Sequence, residues 1–403
     1  MRSTRRGLLV IAVSLPFAAS MTGCSSDAGN NNTDGASPGA DAGADAGADT
    51  SADADADTSA DAGADTAPPV PMGIVAAGVR WVGRVDVSAP AQPRFSWSGT
   101  GFVARFSGTS LTMQLGVVGS LEILKTVIDG APQAPFTAAA GQGTYPLASA
   151  LPAGEHTVEV YRQTEGPQGQ SQLLGLTVGD GALLDPPAGP GRLIEVIGDS
   201  ITCGYGDLGT LADGECISTE SHWDTYEAVA ARALGAEVRT IAASGRGVIR
   251  NYGGDPTGTM PMLYANTLTN LAQPVWDFHQ QQPQAVVINL GTNDISNNKG
   301  DPGNAFRDTY VNLLTTVRTA YPEAFIVCII GPLLSGGELA TIQGHIQSAV
   351  DMRNAAGDTK VEFFNHVAPQ TTDKFACQYH PNVAENMVMA DLLAGELRAK
   401  LGW

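Results

Sequence analysis

Leu193-Ile194-Glu195-Val196-Ile197-Gly198-Asp199-Ser200-Ile201-Thr202-Cys203-Gly204-Tyr205-Gly206 is the stretch whose reading decides the fold. Five mostly apolar, partly β-branched residues run into a glycine, the pattern of a buried strand that stops abruptly. Ser200 follows two residues later. A serine just past the carboxyl edge of a sheet, where a helix begins, stands where a nucleophile would, with backbone N–H groups close by to stabilise negative charge. The segment lacks the second glycine of the G-x-S-x-G elbow. Gly-Asp-Ser by itself also fits an ordinary strand-to-helix turn, so the reading needs partners elsewhere in the chain.

From Leu193 onward, strands and helices alternate. Val238 to Ala242, Ala285 to Leu290, Ala324 to Ile330 and Val361 to Phe364 read as strands. Between them lie helical stretches: Trp223 to Leu234, closed by Gly235; Asp301 to Ala320, with Asp301 as N-cap and Pro302 at the first helical position; Gly337 to Ala355; and Pro381 to Lys400. This order predicts a three-layer α/β/α sandwich with a mainly parallel sheet over 190–403. Such sheets place their sites outside the carboxyl ends of the strands, so each strand end was read for chemistry.

The second strand is followed by Ser244-Gly245-Arg246-Gly247, the third by Gly291-Thr292-Asn293-Asp294, and the last by a segment ending at His380 and Pro381. Four strand ends thus carry Ser, Gly, Asn and His, a set suited to acyl transfer. His380 would take the serine proton and Ser200 would attack a carbonyl. The Ser200 backbone N–H, the Gly245 backbone N–H and the Asn293 side-chain amide would surround the oxyanion.

The segment before Leu193 has a different texture. Val79 to Val87, Pro93 to Trp97, Gly101 to Phe106, Ser110 to Val117, Glu122 to Asp129, His156 to Arg162 and Gln172 to Val178 read as short strands between Gly and Pro punctuation. They predict an all-β sandwich of jelly-roll type over 71–188, ending in the Pro-rich stretch Asp185 to Pro190. Trp81, Phe95, Phe102, Phe106, Leu111 and Leu115 are candidate core, and Trp97 is weighed as core against a platform for a sugar ring.

The chain of 403 residues opens with Arg2, Arg5 and Arg6, an apolar run from Gly7 to Ala19, and Met21-Thr22-Gly23-Cys24. This reads as an export signal over 1–24, too short for a comfortable membrane span. The small residues before Cys24 are similar to a bacterial lipoprotein cleavage box, which would make Cys24 a lipidated anchor and the protein an exported, membrane-held lipoprotein, periplasmic or on the surface; the alternative is a plain signal peptide cut nearby. Residues 25–70 are nearly all Ala, Asp, Gly, Ser, Thr and Asn, a solvated tether that would hold its ends roughly 35 Å apart. Ten aspartates between Asp27 and Asp65 account for ten of the 19 net negative charges. That acidic balance argues against nucleic acid as a partner.

Taken together, the blocks at Ser200, Gly245, Asn293 and His380 resemble the SGNH, or GDS(L)-type, hydrolase superfamily. Adding the β-rich segment, with Phe95-Ser96-Trp97-Ser98-Gly99 within it, the chain resembles carbohydrate esterase family 2, whose members join a jelly roll to an SGNH domain and remove acetyl groups from polysaccharides such as xylan and mannan. The resemblance implies a serine esterase acting on O-acetylated carbohydrate, without a cofactor or metal, as a monomer. The superfamily's usual block reads Asp-x-x-His, yet Cys377 stands three residues before His380. The resemblance therefore implies a Ser-His dyad with a main-chain carbonyl orienting the imidazole, with Asp373 as the alternative orienting group. Two rivals remain: a carbohydrate-binding lipoprotein of weak or lost activity, and a lipid or thioester hydrolase of the same superfamily.

Asp199 and Asp294 read as turn-holding groups rather than the catalytic acid. His156, His222, His279, His345 and His366 share no metal-ligand spacing. Tyr205, Tyr252 and Trp223 are candidates to line a pocket, each more readily explained by packing. Of the cysteines after Cys24, Cys203 and Cys216 flank a loop beside Ser200 and are the expected disulfide; Cys328 reads as a buried thiol and Cys377 as free or paired.

Overall fold

The computed structural model describes residues 75–76, 78–365 and 371–403. The export signal, Cys24, the tether and His366 lie outside the described residues.

In the amino-terminal half, Gly and Pro punctuation cuts the chain into β1 (Val75–Ala76), β2 (Val79–Val82), β3 (Arg94–Phe95), β4 (Gly101–Gly108), β5 (Ser110–Gly119), β6 (Glu122–Ile128), β7 (Ala131–Pro132), β8 (Phe136–Ala138), β9 (Gly141–Ala148), β10 (Gly154–Arg162), β11 (Gly169–Gly179) and β12 (Ala182–Leu184). One sheet runs β1-β2-β4-β10-β6-β7, with β12 against β4 and β8 against β6; the facing sheet runs β3-β11-β5-β9. Every pairing is antiparallel. Alternate residues point inward, so Trp81, Phe95, Phe102, Phe106, Leu111, Leu115 and Leu173 close one apolar layer between the sheets. The expected jelly-roll-type sandwich is present. Strand β9 escaped the sequence reading because Gly141, Gly143 and Pro146 look like loop. It lies at the edge of its sheet, where a proline costs no ladder bond.

The carboxy-terminal half contains β13 (Leu193–Gly198), α1 (Ser200–Cys203), α2 (Tyr226–Leu234), β14 (Glu237–Ala242), α3 (Met260–Leu263), β15 (Asn266–Leu268), β16 (Leu271–Val275), β17 (Ala285–Asn289), α4 (Thr292–Ile295), α5 (Gly303–Ala320), β18 (Phe325–Ile329), α6 (Gly336–Ala355), β19 (Val361–Phe363) and α7 (Val383–Leu401). A parallel sheet runs β14-β13-β17-β18-β19. Its strands are apolar on both faces because both are covered: Leu313, Leu314, Val317, Ile342 and Ile346 of α5 and α6 pack on one side. Ala230, Leu234, Met389, Leu393 and Leu397 of α2 and α7 pack on the other. The predicted three-layer α/β/α fold holds. Helix α5 begins one residue later than expected, with Pro302 in the capping position; Asp301 still serves the helix end, since its Oδ1 accepts the Gly303 N–H at 2.8 Å.

The two layers systems are joined by buried polar contacts. Arg84 leaves the β-sandwich and enters the α/β unit, where its Nη2 reaches Glu195 Oε2 at 3.3 Å and its guanidinium stacks over Tyr264 and Phe278. Glu195 also accepts from Arg239 Nε at 2.6 Å, Tyr264 Oη at 2.7 Å and Tyr321 Oη at 3.0 Å. Trp97 is fully buried and donates from Nε1 to the Thr267 carbonyl at 3.1 Å, which makes it core at this junction rather than a sugar platform.

Candidate active site

Strand β13 ends at Gly198, and Asp199 caps the short helix that follows. Its Oδ1 accepts the Ile201 N–H at 3.1 Å, leaving Ser200 at the first helical position with its side chain at the carboxyl edge of the sheet. The Ser200 Oγ lies 2.7 Å from His380 Nε2, although 180 residues separate them in sequence. Both side chains are 9% exposed, enough for an acyl group to approach while most water is excluded.

His380 is carried by the loop before α7. Asn382 caps that helix, its Oδ1 accepting the Glu385 N–H at 3.0 Å. Gln378 and Tyr379 just upstream both hold φ in the left-handed region, at 49° and 65°. Such conformations persist where surroundings over-determine them. Here the constraint is a disulfide between Cys216 and Cys377, with Cα atoms 5.6 Å apart, and a bond from the Cys377 N–H to the Gly206 carbonyl at 3.3 Å. Gly206 makes the approach possible: a Cβ there would come within 2.7 Å of Cys377 Cβ and 2.9 Å of Cys216 Cβ. The expected Cys203–Cys216 bridge is therefore corrected. Cys203 ends α1 with its Sγ turned into the interior, 3.7 Å from Glu165 Oε2, while the loop after Gly206 carries Cys216 over to the histidine loop. Cys328 is a buried thiol, as expected.

No carboxylate orients His380 among the described residues. Asp373 is exposed and bonds locally to Thr371. The Nδ1 atom has no partner in hydrogen-bonding geometry, and the only groups favouring its proton are the carbonyls of Cys377 and Gln378. Burial outweighs them and lowers the histidine pKa to about 4, so the imidazole is neutral at physiological pH.

The glycine-rich segment after β14 forms a turn in which the Arg246 N–H bonds to the Ala243 carbonyl at 3.3 Å, with Gly245 at φ 75°. The Gly245 carbonyl is held by the Tyr252 N–H at 2.8 Å, and its own N–H has no acceptor among the described residues. Asn293, on α4, donates from Nδ2 to the Arg246 carbonyl at 2.9 Å and to Asp199 Oδ2 at 3.2 Å. Its amide thus ties the third strand end to the first two. Asp294 accepts the N–H groups of Val248, Ile249 and Arg250 and so fastens the loop after the turn. Burial raises Asp199 to about 7 and Asp294 to about 6. Both serve as turn-holding groups.

Two matches to known families follow this geometry along the chain: residues 81–187 match the model for the carbohydrate esterase 2 N-terminal domain, and residues 196–385 match the GDSL-like lipase/acylhydrolase family. An acetylxylan esterase / glucomannan deacetylase from Cellvibrio japonicus is 31% identical over 345 residues, covering 79% of this chain and 90% of that protein. The chain belongs to carbohydrate esterase family 2. A cellulase/esterase from Acetivibrio thermocellus is 37% identical over 327 residues, 81% of this chain, which spans 40% of that longer protein. A family two carbohydrate esterase from Clostridium thermocellum, solved in complex with cellohexaose, superposes with a TM-score of 0.77 at 37% identity, covering 81% of this chain and 99% of that one.

Within this family framework the remaining candidates sort by position. The Tyr205 ring packs edge-on against His380 with centroids 5.0 Å apart, and Tyr252 stands exposed next to Gly245. Trp223 is elsewhere: Arg232 stacks on it at 4.0 Å, and it lines a cavity of about 580 Å³ whose walls include neither Ser200 nor His380. His156 bonds to Asp129, His222 to Thr240 and His345 to Asp301. The described group with metal-type donors contains no histidine; it is Glu165, Cys203 and Glu220, all buried, with ligand atoms within 4.8 Å of one another. Sequence reasoning missed Glu165 altogether. It sits in the β-rich half, so no strand-end search in the α/β half could reach it.

Proposed function

We propose that this protein is a serine esterase that removes O-acetyl groups from carbohydrate through an acyl-enzyme on Ser200. The observation that carries the reading is the 2.7 Å contact between Ser200 Oγ and His380 Nε2. His380 accepts the hydroxyl proton as Oγ bonds to the acetyl carbonyl carbon, and the carbonyl electron pair moves onto oxygen. The backbone N–H groups of Ser200 and Gly245 and the amide of Asn293 face that oxyanion. Collapse expels the sugar alkoxide, which takes the proton from His380. Water then repeats the sequence and releases acetate. With no carboxylate on Nδ1, the reading is a Ser-His dyad oriented by the Cys377 and Gln378 carbonyls.

Family membership supports carbohydrate as substrate, and the Cellvibrio relative's name directs the choice to acetylated xylan and glucomannan. We place the protein as a monomeric lipoprotein anchored through Cys24 at a bacterial membrane, on the strength of the basic, apolar and small-residue run that precedes it. Ser200→Ala will abolish acetate release from acetylated xylo-oligosaccharides and from nitrophenyl acetate while leaving the circular dichroism unchanged; retained turnover would remove Ser200 from the role. A second reading, a site that holds unacetylated glucan without hydrolysing it, is favoured by the cellohexaose complex of the Clostridium relative. Labelling of Ser200 by a fluorophosphonate separates the two, since a binding-only site leaves the serine unreactive.

A further inference from the structure

The β-sandwich reaches into the site through one side chain. Glu165 lies on the loop between β10 and β11, 2% exposed, and its Oε2 accepts the Ser244 backbone N–H at 2.6 Å. The same oxygen receives the Cys203 Sγ at 3.7 Å. Ser244 immediately precedes Gly245 in the turn, and Cys203 closes the helix that Ser200 opens. One carboxylate from the sandwich therefore touches both the turn and the nucleophile's helix.

The loop that carries Glu165 is itself fixed. Arg162 donates from Nε to the Thr164 carbonyl at 2.7 Å and from Nη2 to the Glu165 carbonyl at 3.1 Å, and it is ion-paired with buried Glu122. Gly166 is seated against Thr269 so closely that a Cβ would come within 1.8 Å of Thr269 Oγ1. A short charge-assisted bond from such a loop gives its acceptor a fixed address.

We propose that Glu165 is a positioning residue for the oxyanion turn: by holding the Ser244 N–H it fixes the peptide that presents the Gly245 N–H to the reacting carbonyl. This rests on the roles of Ser200 and Gly245 given above. Nothing else among the described residues accepts the Ser244 N–H, so without Glu165 the turn is held only by the Ala243–Arg246 and Gly245–Tyr252 bonds. Displacement of an oxyanion donor by a fraction of an ångström weakens the transition state more than the ground state, so the loss belongs in kcat.

Three substitutions test this on the full chain with nitrophenyl acetate. Glu165→Gln keeps a carbonyl acceptor in place, Glu165→Met keeps volume without one, and Glu165→Asp withdraws the acceptor by one methylene. Expected are a Gln variant within about threefold of the parent kcat, and Met and Asp variants reduced by about ten- to hundredfold with KM unchanged and a parallel loss in the rate of fluorophosphonate labelling. Thermal unfolding of the Met variant will not fall, because an apolar isostere replaces a buried carboxylate. Folded Met and Asp variants that keep the parent kcat overturn the inference, as does a Gln variant that falls as far as Met. Should Met fail to fold, Asp decides, and failure of both marks Glu165 as purely structural and also overturns it. Activity retained by Ser200→Ala would instead strike the nucleophile itself, so the two failures are distinguishable.

Discussion

His380 works without the carboxylate that usually steadies such an imidazole, and its surroundings set its proton affinity. A group buried beside Tyr205 and facing only carbonyls resists charge, which brings its pKa to about 4. A general base must be neutral to accept the serine proton. Activity on nitrophenyl acetate should therefore stay level from neutral pH down to about 5 and fall as pH drops through about 4, read from kcat/KM against pH. A fall centred on the ordinary histidine value of 6.5 would mean that an acid does reach Nδ1. Folding responds in the same window: below 6.5 the unfolded chain takes up a proton that the native histidine refuses, so this residue removes stability as pH falls toward 4. At this scale the sequence was legible where chemistry sits in a local motif. Ser200, Gly245 and Asn293 each follow a strand directly, and the turn residues announce themselves. Glu195 was not legible. It lies in an apolar strand, and its partners Arg84, Arg239, Tyr264 and Tyr321 are each at least 44 residues distant.

Among elements, the histidine loop depends most on a cross-link. Two left-handed residues precede His380, and the Cys216–Cys377 bridge with Gly206 beneath it holds them. The cysteine three residues before the histidine takes the place where the superfamily usually carries aspartate, so this chain has a covalent tie where an acid would be. Replacing both cysteines with serine should cost roughly 2–5 kcal/mol of stability in denaturant titrations, for a bridge that spans 161 residues. It should also lower kcat beyond what the loss of stability explains; variants with the parent kcat would show that the loop holds its shape unaided. Spacing along the chain could not reveal this pairing, because which loops meet depends on the path of the fold. The hairpin β15–β16 escaped for a related reason: its strands are short, Pro274 interrupts one, and its purpose is to receive the sandwich.

At the level of the whole molecule, the two halves share a buried charge cluster. Burial works against the charge on Glu195, but Arg239 and Arg84 outweigh it and hold its pKa below the ordinary value. Its contribution to stability is thus present above about pH 4.5 and is lost as pH falls below it. Removing one member of a buried pair leaves its partner uncompensated, so Arg84→Ala should cost about 3–5 kcal/mol in chemical unfolding, with a single transition for both halves. Two separated transitions would mean that the sandwich and the α/β unit fold independently. The order of strands and helices made the pair of folds readable in advance, since periodicity is local. Their dependence on each other was not, since it rests on Arg84, Trp97 and Glu165, none of which stands out in a run of short strands.

The insertion of Arg84 into the heart of the neighbouring layers bears on how such a gene can change. Recombination that swapped either half alone would strand a guanidinium or a carboxylate in a dry interior, so heredity should pass the pair as a single cassette. New modules would then be grafted onto its ends, never between its parts.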